Sequence, residues 1–404
     1  MTAAVERMYD ADQHYYEPDD CFTRHIERAF RERTVWIDRK GPGPGRMWVG
    51  DERCHFFSVG VGDNIGPPGA MKAFLRGESD EGGNPSLSPI DGLAVPEFVD
   101  RRARLAKMDA QGVEACLMLP TAGVGVEPQL RAPRHRDALY PSVRAFNRWL
   151  EEDWGYGADG RIYGAPILSL ADLGEALAEL DRLVARGARF VVVTCGPVDG
   201  RSPGDPHFDP FWARLQETGT ILVYHIGRTP FSEMYNAPWG LRPHPPSHRH
   251  SLMEYYLSFT ERPIADTLTA LVADNVFGRF PGVRVWSVEY GSTWVAPLMR
   301  KLDHIARLFS KDMWRFGAPP AKPSELLKRH LWVSPFFEDD VVGLCRSLGV
   351  ERVLAGSDYP HPEGLASPAE FADELDGLAD ADKRLVLRDN FHAAVFRKGS
   401  DPAV

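Results

Sequence analysis

The stretch SLADLGEALAELDRLVARGARFVVVTC, residues 169–195, holds a helix, a stop and a strand in succession. SLADLGEALAELDRLVARG (169–187) reads as a capped helix ending in glycine. It feeds ARFVVVTC (188–195), a short run rich in β-branched residues. The same unit recurs downstream. Helix FDPFWARLQETG (208–219) precedes strand TILVYHIG (220–227), and ERPIADTLTALVADNVFGRFPG (261–282) precedes VRVWSVEYG (283–291). WVAPLMRKLDHIARLF (294–309) precedes HLWVSP (330–335), and DDVVGLCRSLG (339–349) precedes VERVLAGSD (350–358). Upstream, EFVDRRARLAKMDA (97–110) leads to VEACLML (113–119), and a helix around 141–155 leads to RIYGAPIL (161–168). Residues 8–14 read as a first strand, and two helices near 367–379 and 381–397 close the chain. The strands do not alternate, as expected when a parallel sheet is buried on both faces. Eight such units predict an α/β fold, a (β/α)8 TIM barrel. An open doubly wound sheet would want a glycine-rich phosphate turn after strand one, which is missing.

Two segments interrupt the pattern. Residues 19–96 contain the turn-rich runs GPGPGR (41–46) and GESDEGGNPSLSP (77–89) and read as an N-terminal insertion of loops and short elements. The segment from about 228 to 258, between strands five and six, contains NAPWGLRPHPPSHRH and reads as a lid over the barrel mouth. The expectation is one metal-dependent barrel domain over residues 1–404.

A net charge of −10 argues against a nucleic-acid or anionic-membrane partner, because phosphate binding needs a basic face. No apolar run reaches the roughly 20 residues that span a bilayer. MTAAVERMYDADQ lacks the apolar core of a signal peptide. The five cysteines (Cys21, Cys54, Cys116, Cys195, Cys345) are odd in number and scattered, with no CxxC pair. A reducing cytoplasm is expected.

In a TIM barrel, chemistry collects where the strands end. Strand one ends in Asp12, His14 and Glu17, with Asp12 and His14 two apart and so on one face. Strand five ends in His225, strand six in Glu289 and strand eight in Asp358. Carboxylates and imidazoles at four strand ends are hard-to-borderline metal ligands. His361, three residues beyond Asp358, is a candidate proton donor or hydrogen-bond partner for it. Arg228 and Arg242, in or near the lid, are candidates to meet an anionic substrate or a CoA phosphate, with a solvated position the better expectation for Arg242.

The motifs DADQHYYEP, YHIG, RPIADTLTALV, FPGVRVWSVEYGSTWVAPLMRKLD and VLAGSDYPHPEG together resemble the amidohydrolase-related superfamily. The likeness is to the branch of metal-dependent decarboxylases and hydrolases of the aminocarboxymuconate-semialdehyde decarboxylase type. It implies a divalent metal held by Asp12, His14, His225 and Asp358, and a proton handled by Asp358 or a neighbour. Glu17, Glu289 and the lid histidines His244, His248 and His250 add to this set, and His248 is the best placed of the three by the same resemblance. A surplus of carboxylates is what two ions need to share a site. The start D-x-H-Y-Y-E-P also resembles a small branch of TIM-barrel non-haem diiron monooxygenases that act on acyl-CoA-type substrates.

Two chemistries follow. One is a diiron monooxygenase hydroxylating a CoA-linked or carboxylated substrate. It needs two Fe ions and, with no flavin or nicotinamide fingerprint in the chain, an external electron donor. The other is a mononuclear hydrolase or non-oxidative decarboxylase with one Zn or Mn ion. The first is the favoured expectation. A binding protein with a purely structural metal is disfavoured, since a structural site closes its coordination. The superfamily habit implies a homodimer, with the 19–96 insertion as a plausible interface.

Overall fold

The structure is a computed structural model, and it describes residues 6–41, 43–57, 60–75 and 88–396. The barrel opens with strand β1 (Met8–Tyr15). The insertion that follows carries β2 (Val35–Asp38), β3 (Arg46–Val49) and β4 (Glu52–Arg53), a small antiparallel sheet. The barrel resumes with β5 (Val113–Pro120), β6 (Ile162–Gly164), β7 (Ile167–Leu168), β8 (Phe190–Val193) and β9 (Ile221–His225). It continues through β10 (Val285–Val288) and β11 (Leu331–Ser334).

All barrel pairings are parallel: β1–β5–β6 in one run and β7–β8–β9–β10–β11 in the other. β6 and β7 are two halves of the expected strand 161–168. Pro166 has no N–H for the ladder, so the strand breaks there. The neighbours still bridge the break: Ala165 N donates to Met118 O (2.9 Å) and Val192 N to Pro166 O (2.8 Å).

The eighth strand is the irregular segment 353–359. Leu354 N donates to Val333 O on one side, and on the other Ala11 N donates to Ala355 O and His14 N to Tyr359 O. Asp358 N donates back to Asp12 O at 2.8 Å, which closes the barrel between the first strand and the eighth. Regular pairing fails here because Asp358 takes a left-handed φ of 57°.

The helices sit on the outside. Asp172 caps the helix Leu173–Ala185 by accepting from Glu175 N, as the sequence suggests. Two expected helices are cut by a capping or left-handed residue. Asp100 ends Pro96–Val99 and caps Arg101–Gln111, and Asn275 (φ 55°) separates Arg262–Ala273 from Val276–Arg279. The expected helix at 367–379 is a 3-10 helix over Pro368–Leu375. The last helix, Asn390–Phe396, seals the N-terminal end of the barrel. Phe391 packs against Tyr9, Trp286 and Phe190, and Asn390 Nδ2 donates to Val350 O and Val353 O. Burying one such ring contributes roughly 1.5–3 kcal/mol, so the floor is fixed and the opposite mouth is left for function.

The insertion and the lid meet over that mouth, where Ser247 N donates to Phe56 O at 2.7 Å. The lid contains irregular turns over Ser232–Asn236 and Ala237–Trp239 and the helix Leu252–Ser258, which Ser251 and Glu254 cap reciprocally. Arg242 is bound to Glu254 at 2.6 Å and is exposed, so it organises the lid. Of the turn-rich run at 77–89, residues 77–87 lie outside the described residues. Among the described residues, no helix is long and apolar enough to cross a membrane, and the five cysteines are free and buried.

Candidate metal centre

The strand ends bring six donors together. Asp12, His14, His225 and Glu289 each offer one ligand atom, and these four atoms lie within 4.8 Å of one another. His14, Glu289, Asp358 and His361 form a second such quartet, sharing His14 and Glu289 with the first. His14 Nε2 is the hub: it lies 3.2 Å from Asp12 Oδ1, 3.2 Å from His225 Nε2, 3.5 Å from Asp358 Oδ1 and 3.6 Å from Glu289 Oε2. His225 Nε2 is 2.9 Å from Glu289 Oε2.

These donors fit a divalent cation. Asp12 Oδ1 and Glu289 Oε2 are buried carboxylate oxygens with no hydrogen-bond partner, despite the nearby imidazoles. The atoms converge on common points without aligning as donor–acceptor pairs. A buried, unsatisfied carboxylate is strongly disfavoured unless a cation completes it. His225 Nδ1 donates to Ile226 O at 2.7 Å, which fixes the ring and turns Nε2 towards the cluster. Carboxylate-plus-imidazole sets of this kind suit Mn, Fe or Zn.

The backbone is strained where the donors sit. Glu289 (φ 58°) and Asp358 (φ 57°) are two of the five left-handed non-glycine residues among those described. Such conformations persist where the surroundings impose them, typically at functional sites.

With protons as the sole cations, the cluster titrates far from ordinary values. Burial depresses the His225 imidazole, but Glu289 and Asp12 override it and raise it to about 10. Burial pushes the Asp358 carboxyl well above its usual range, reinforced by Glu289 and Asp12. Glu289 moves down: burial opposes this, but His225 and His14 hold its carboxylate charged.

His361 sits one layer out. Its Nδ1 lies 2.6 Å from Asp358 Oδ1, its Nε2 lies 3.0 Å from Thr121 Oγ1, and its ring stacks on His14 at 4.0 Å. Burial, with His14 nearby, holds it well below the usual imidazole value and hence neutral.

Glu17 stands outside both quartets. Its Oε1 accepts from Ala122 N and Gly123 N, both at 2.9 Å, so the carboxylate pins the turn after β5. Burial pushes this carboxyl up to about 7. His248 also lies outside both quartets, exposed in the lid with φ 58°.

Asp10 is a supporting residue that sequence reasoning passed over, although it shares the two-residue spacing of Asp12 and His14. Fully buried, it accepts from Ser357 Oγ (2.6 Å), Ser357 N (3.0 Å), Gln13 Nε2 (2.9 Å) and Asp12 N (3.1 Å). It thereby locks strand one to strand eight beneath the ligands. The buried Arg104 does the same from the helix layer, donating to His14 O at 2.7 Å and Gln13 Oε1 at 3.2 Å.

A narrow cavity opens beside the cluster, with His225, Arg228 and Thr229 on its wall. A second lies under the lid and shares Arg228 and Thr229.

A family profile described as amidohydrolase matches residues 50–394. The chain belongs to the amidohydrolase family. An amidohydrolase structure from Mycobacterium avium subsp. paratuberculosis K-10 is 38% identical, with a TM-score of 0.85 over 96% of this chain and 99% of that one. More distant amidohydrolase-fold structures share the barrel alone. The 2,6-dihydroxybenzoate decarboxylase from Rhizobium is 16% identical, with a TM-score of 0.61 over 97% of this chain and 99% of that one. A dihydroxybenzoic acid decarboxylase from Polaromonas sp. JS666, with bound manganese and the inhibitor 2-nitroresorcinol, is 15% identical, with a TM-score of 0.56 over 97% of each chain. No curated protein matches by sequence.

Proposed function

We propose that this amidohydrolase is a metal-dependent, non-oxidative enzyme, a decarboxylase or hydrolase, acting on a small carboxylated substrate with one Mn or Zn ion. The observation that carries the reading is the pair of partnerless buried oxygens, Asp12 Oδ1 and Glu289 Oε2, converging with two imidazole Nε2 atoms beside a pocket that His225 and Arg228 line. When bound, the ion supplies Lewis-acid polarisation of a substrate oxygen. Asp12, His14, His225 and Glu289 would hold it, with Asp358 within reach of His14. Asp358 and His361, 2.6 Å apart, form a dyad that can hold a proton at the barrel mouth, and Thr121 orients the outer imidazole nitrogen. Loss of CO₂ leaves a carbon that must receive a proton, and the dyad is placed to hand one over. The decarboxylases among the structural neighbours, and the manganese in one of them, support this chemistry over the oxygenase expected first.

A second reading rests on one observation: the two quartets share His14 and Glu289, so six donors stand ready where a single ion needs fewer. Two ions bridged there, as iron, would serve the monooxygenase reading. The test is metal content and gas exchange on one preparation. About one Mn or Zn per chain with anaerobic turnover of a carboxylic acid supports the proposal. Two irons per chain with O₂ uptake overturns it in favour of the second reading.

A further inference from the structure

Arg228 is a half-buried cation with no carboxylate partner among the described residues. It follows the last residue pair of the β9 end, three positions after the ligand His225, and lines both cavities. What holds it is neutral. Its Nη1 donates to Gln129 Oε1 at 3.2 Å, and the buried thiol of Cys54, from the insertion, lies against it. The neighbouring polar groups are also incomplete. Thr229 Oγ1 and Gln129 Nε2 are buried and have no hydrogen-bond partner. Glu127, on the wall of the first cavity, accepts at Oε1 from Ser169 Oγ at 2.6 Å and lies 3.9 Å from Arg131, while its Oε2 has no hydrogen-bond partner. Arg228 is the cation that the two cavities share.

A half-buried guanidinium held only by neutral groups keeps N–H donors free for an anion. The insertion and the β5 turn hold it beside the cavity in advance. A planar carboxylate matches the guanidinium fork, taking two parallel N–H donors. The hydroxyl of Thr229 supplies a further donor on the same wall, and Gln129 holds the guanidinium in place. We infer that Arg228, with Thr229, forms a second anion subsite, and that the substrate is a dicarboxylic acid: one carboxylate end meets the metal cluster and the other meets Arg228. This rests on the metal-dependent reading above for the first carboxylate only; the Arg228 subsite requires no metal.

The test compares isophthalate and terephthalate with benzoate by calorimetry, on manganese-loaded and on chelator-stripped protein. Wild-type protein should bind at least one dicarboxylate tenfold or more tighter than benzoate, in both forms. Arg228→Met should abolish that gain, Arg228→Lys should keep part of it, and Thr229→Val should reduce it. Melting curves and metal content confirm that each variant is folded and loaded. Equal binding of mono- and dicarboxylates to intact protein overturns the subsite. So does a gain that survives Arg228→Met, or one that vanishes on stripping the metal. A gain present in stripped protein, from an enzyme that releases no CO₂ and hydrolyses no substrate when loaded, keeps the subsite and removes the reaction.

Discussion

Raising the pH should tighten metal binding steeply. In the metal-free protein His225 is raised to about 10 by Glu289 and Asp12, so near neutrality its imidazole carries a proton. An ion binding at His225 Nε2 must displace that proton. One proton released per ion makes the apparent Kd fall tenfold for each pH unit below the group's own value. Between about pH 6.5 and 8.5 the gain is therefore about 100-fold, or about 2.7 kcal/mol. If the Asp358 carboxyl, also raised well above its usual range, loses its proton as well, the slope steepens further. The metal-free protein carries the opposite sign. A histidine raised from 6.5 to about 10 contributes stability that is fully present below about pH 6.5 and is lost as the pH climbs through about 10. Titrating Mn²⁺ into stripped protein by calorimetry, at several pH values and in buffers of different ionisation enthalpy, counts the protons directly. Melting curves without metal give the second sign. A Kd flat across this range, with no proton released, would refute the placement of the ion on His225.

Three further variants separate ligand, support and proton transfer. Measured above about pH 8, where the Glu17 carboxyl raised to about 7 is charged, Glu17→Gln should leave metal content unchanged and destabilise the fold by about 1–3 kcal/mol, because a charged acceptor of two buried N–H groups becomes a neutral one; loss of bound metal in elemental analysis would make Glu17 a ligand. Gly356→Ala should destabilise by about 1–3 kcal/mol and weaken metal binding, since its Cβ would fall 2.1 Å from Ser334 Oγ and 2.9 Å from the Asp12 Cβ; an unchanged melting temperature and Kd would contradict this. His361→Ala should keep the metal while slowing turnover on the order of 10²–10⁴-fold, with the loss concentrated in kcat; full activity would remove the dyad from the reaction.

The barrel was legible because each βα unit announces itself. A glycine-stopped amphipathic helix followed by a β-branched run can bury both faces only in a parallel sheet. The donors were legible for a related reason. Asp12, His14, His225, Glu289 and Asp358 sit at the polar ends of otherwise apolar strands, where burial without a partner is disfavoured. The helix breaks at Asp100 and Asn275 were not legible, because capping and left-handed residues interrupt a helix without disturbing its apolar period.

The harder distinction lies between carboxylates that face an ion and carboxylates that face the backbone. Glu17 and Glu289 look alike in sequence, each a carboxylate just past a barrel strand. In space, Glu17 is consumed by two amide N–H groups, while Glu289 keeps one oxygen free of any donor. The difference comes from the turn after β5, where Ala122 and Gly123 present their amides to the first strand; nothing near Glu17 in the chain encodes that. Asp10 makes the same point inverted. It stands two residues before Asp12, yet four donors from Ser357, Gln13 and Asp12 saturate it. A carboxylate with its hydrogen bonds complete supports its neighbours, and one left incomplete in a buried site needs a cation. By that criterion Asp12 and Glu289 are the carboxylates that would hold an ion, whereas Glu17 and Asp10 are bonded into the scaffold.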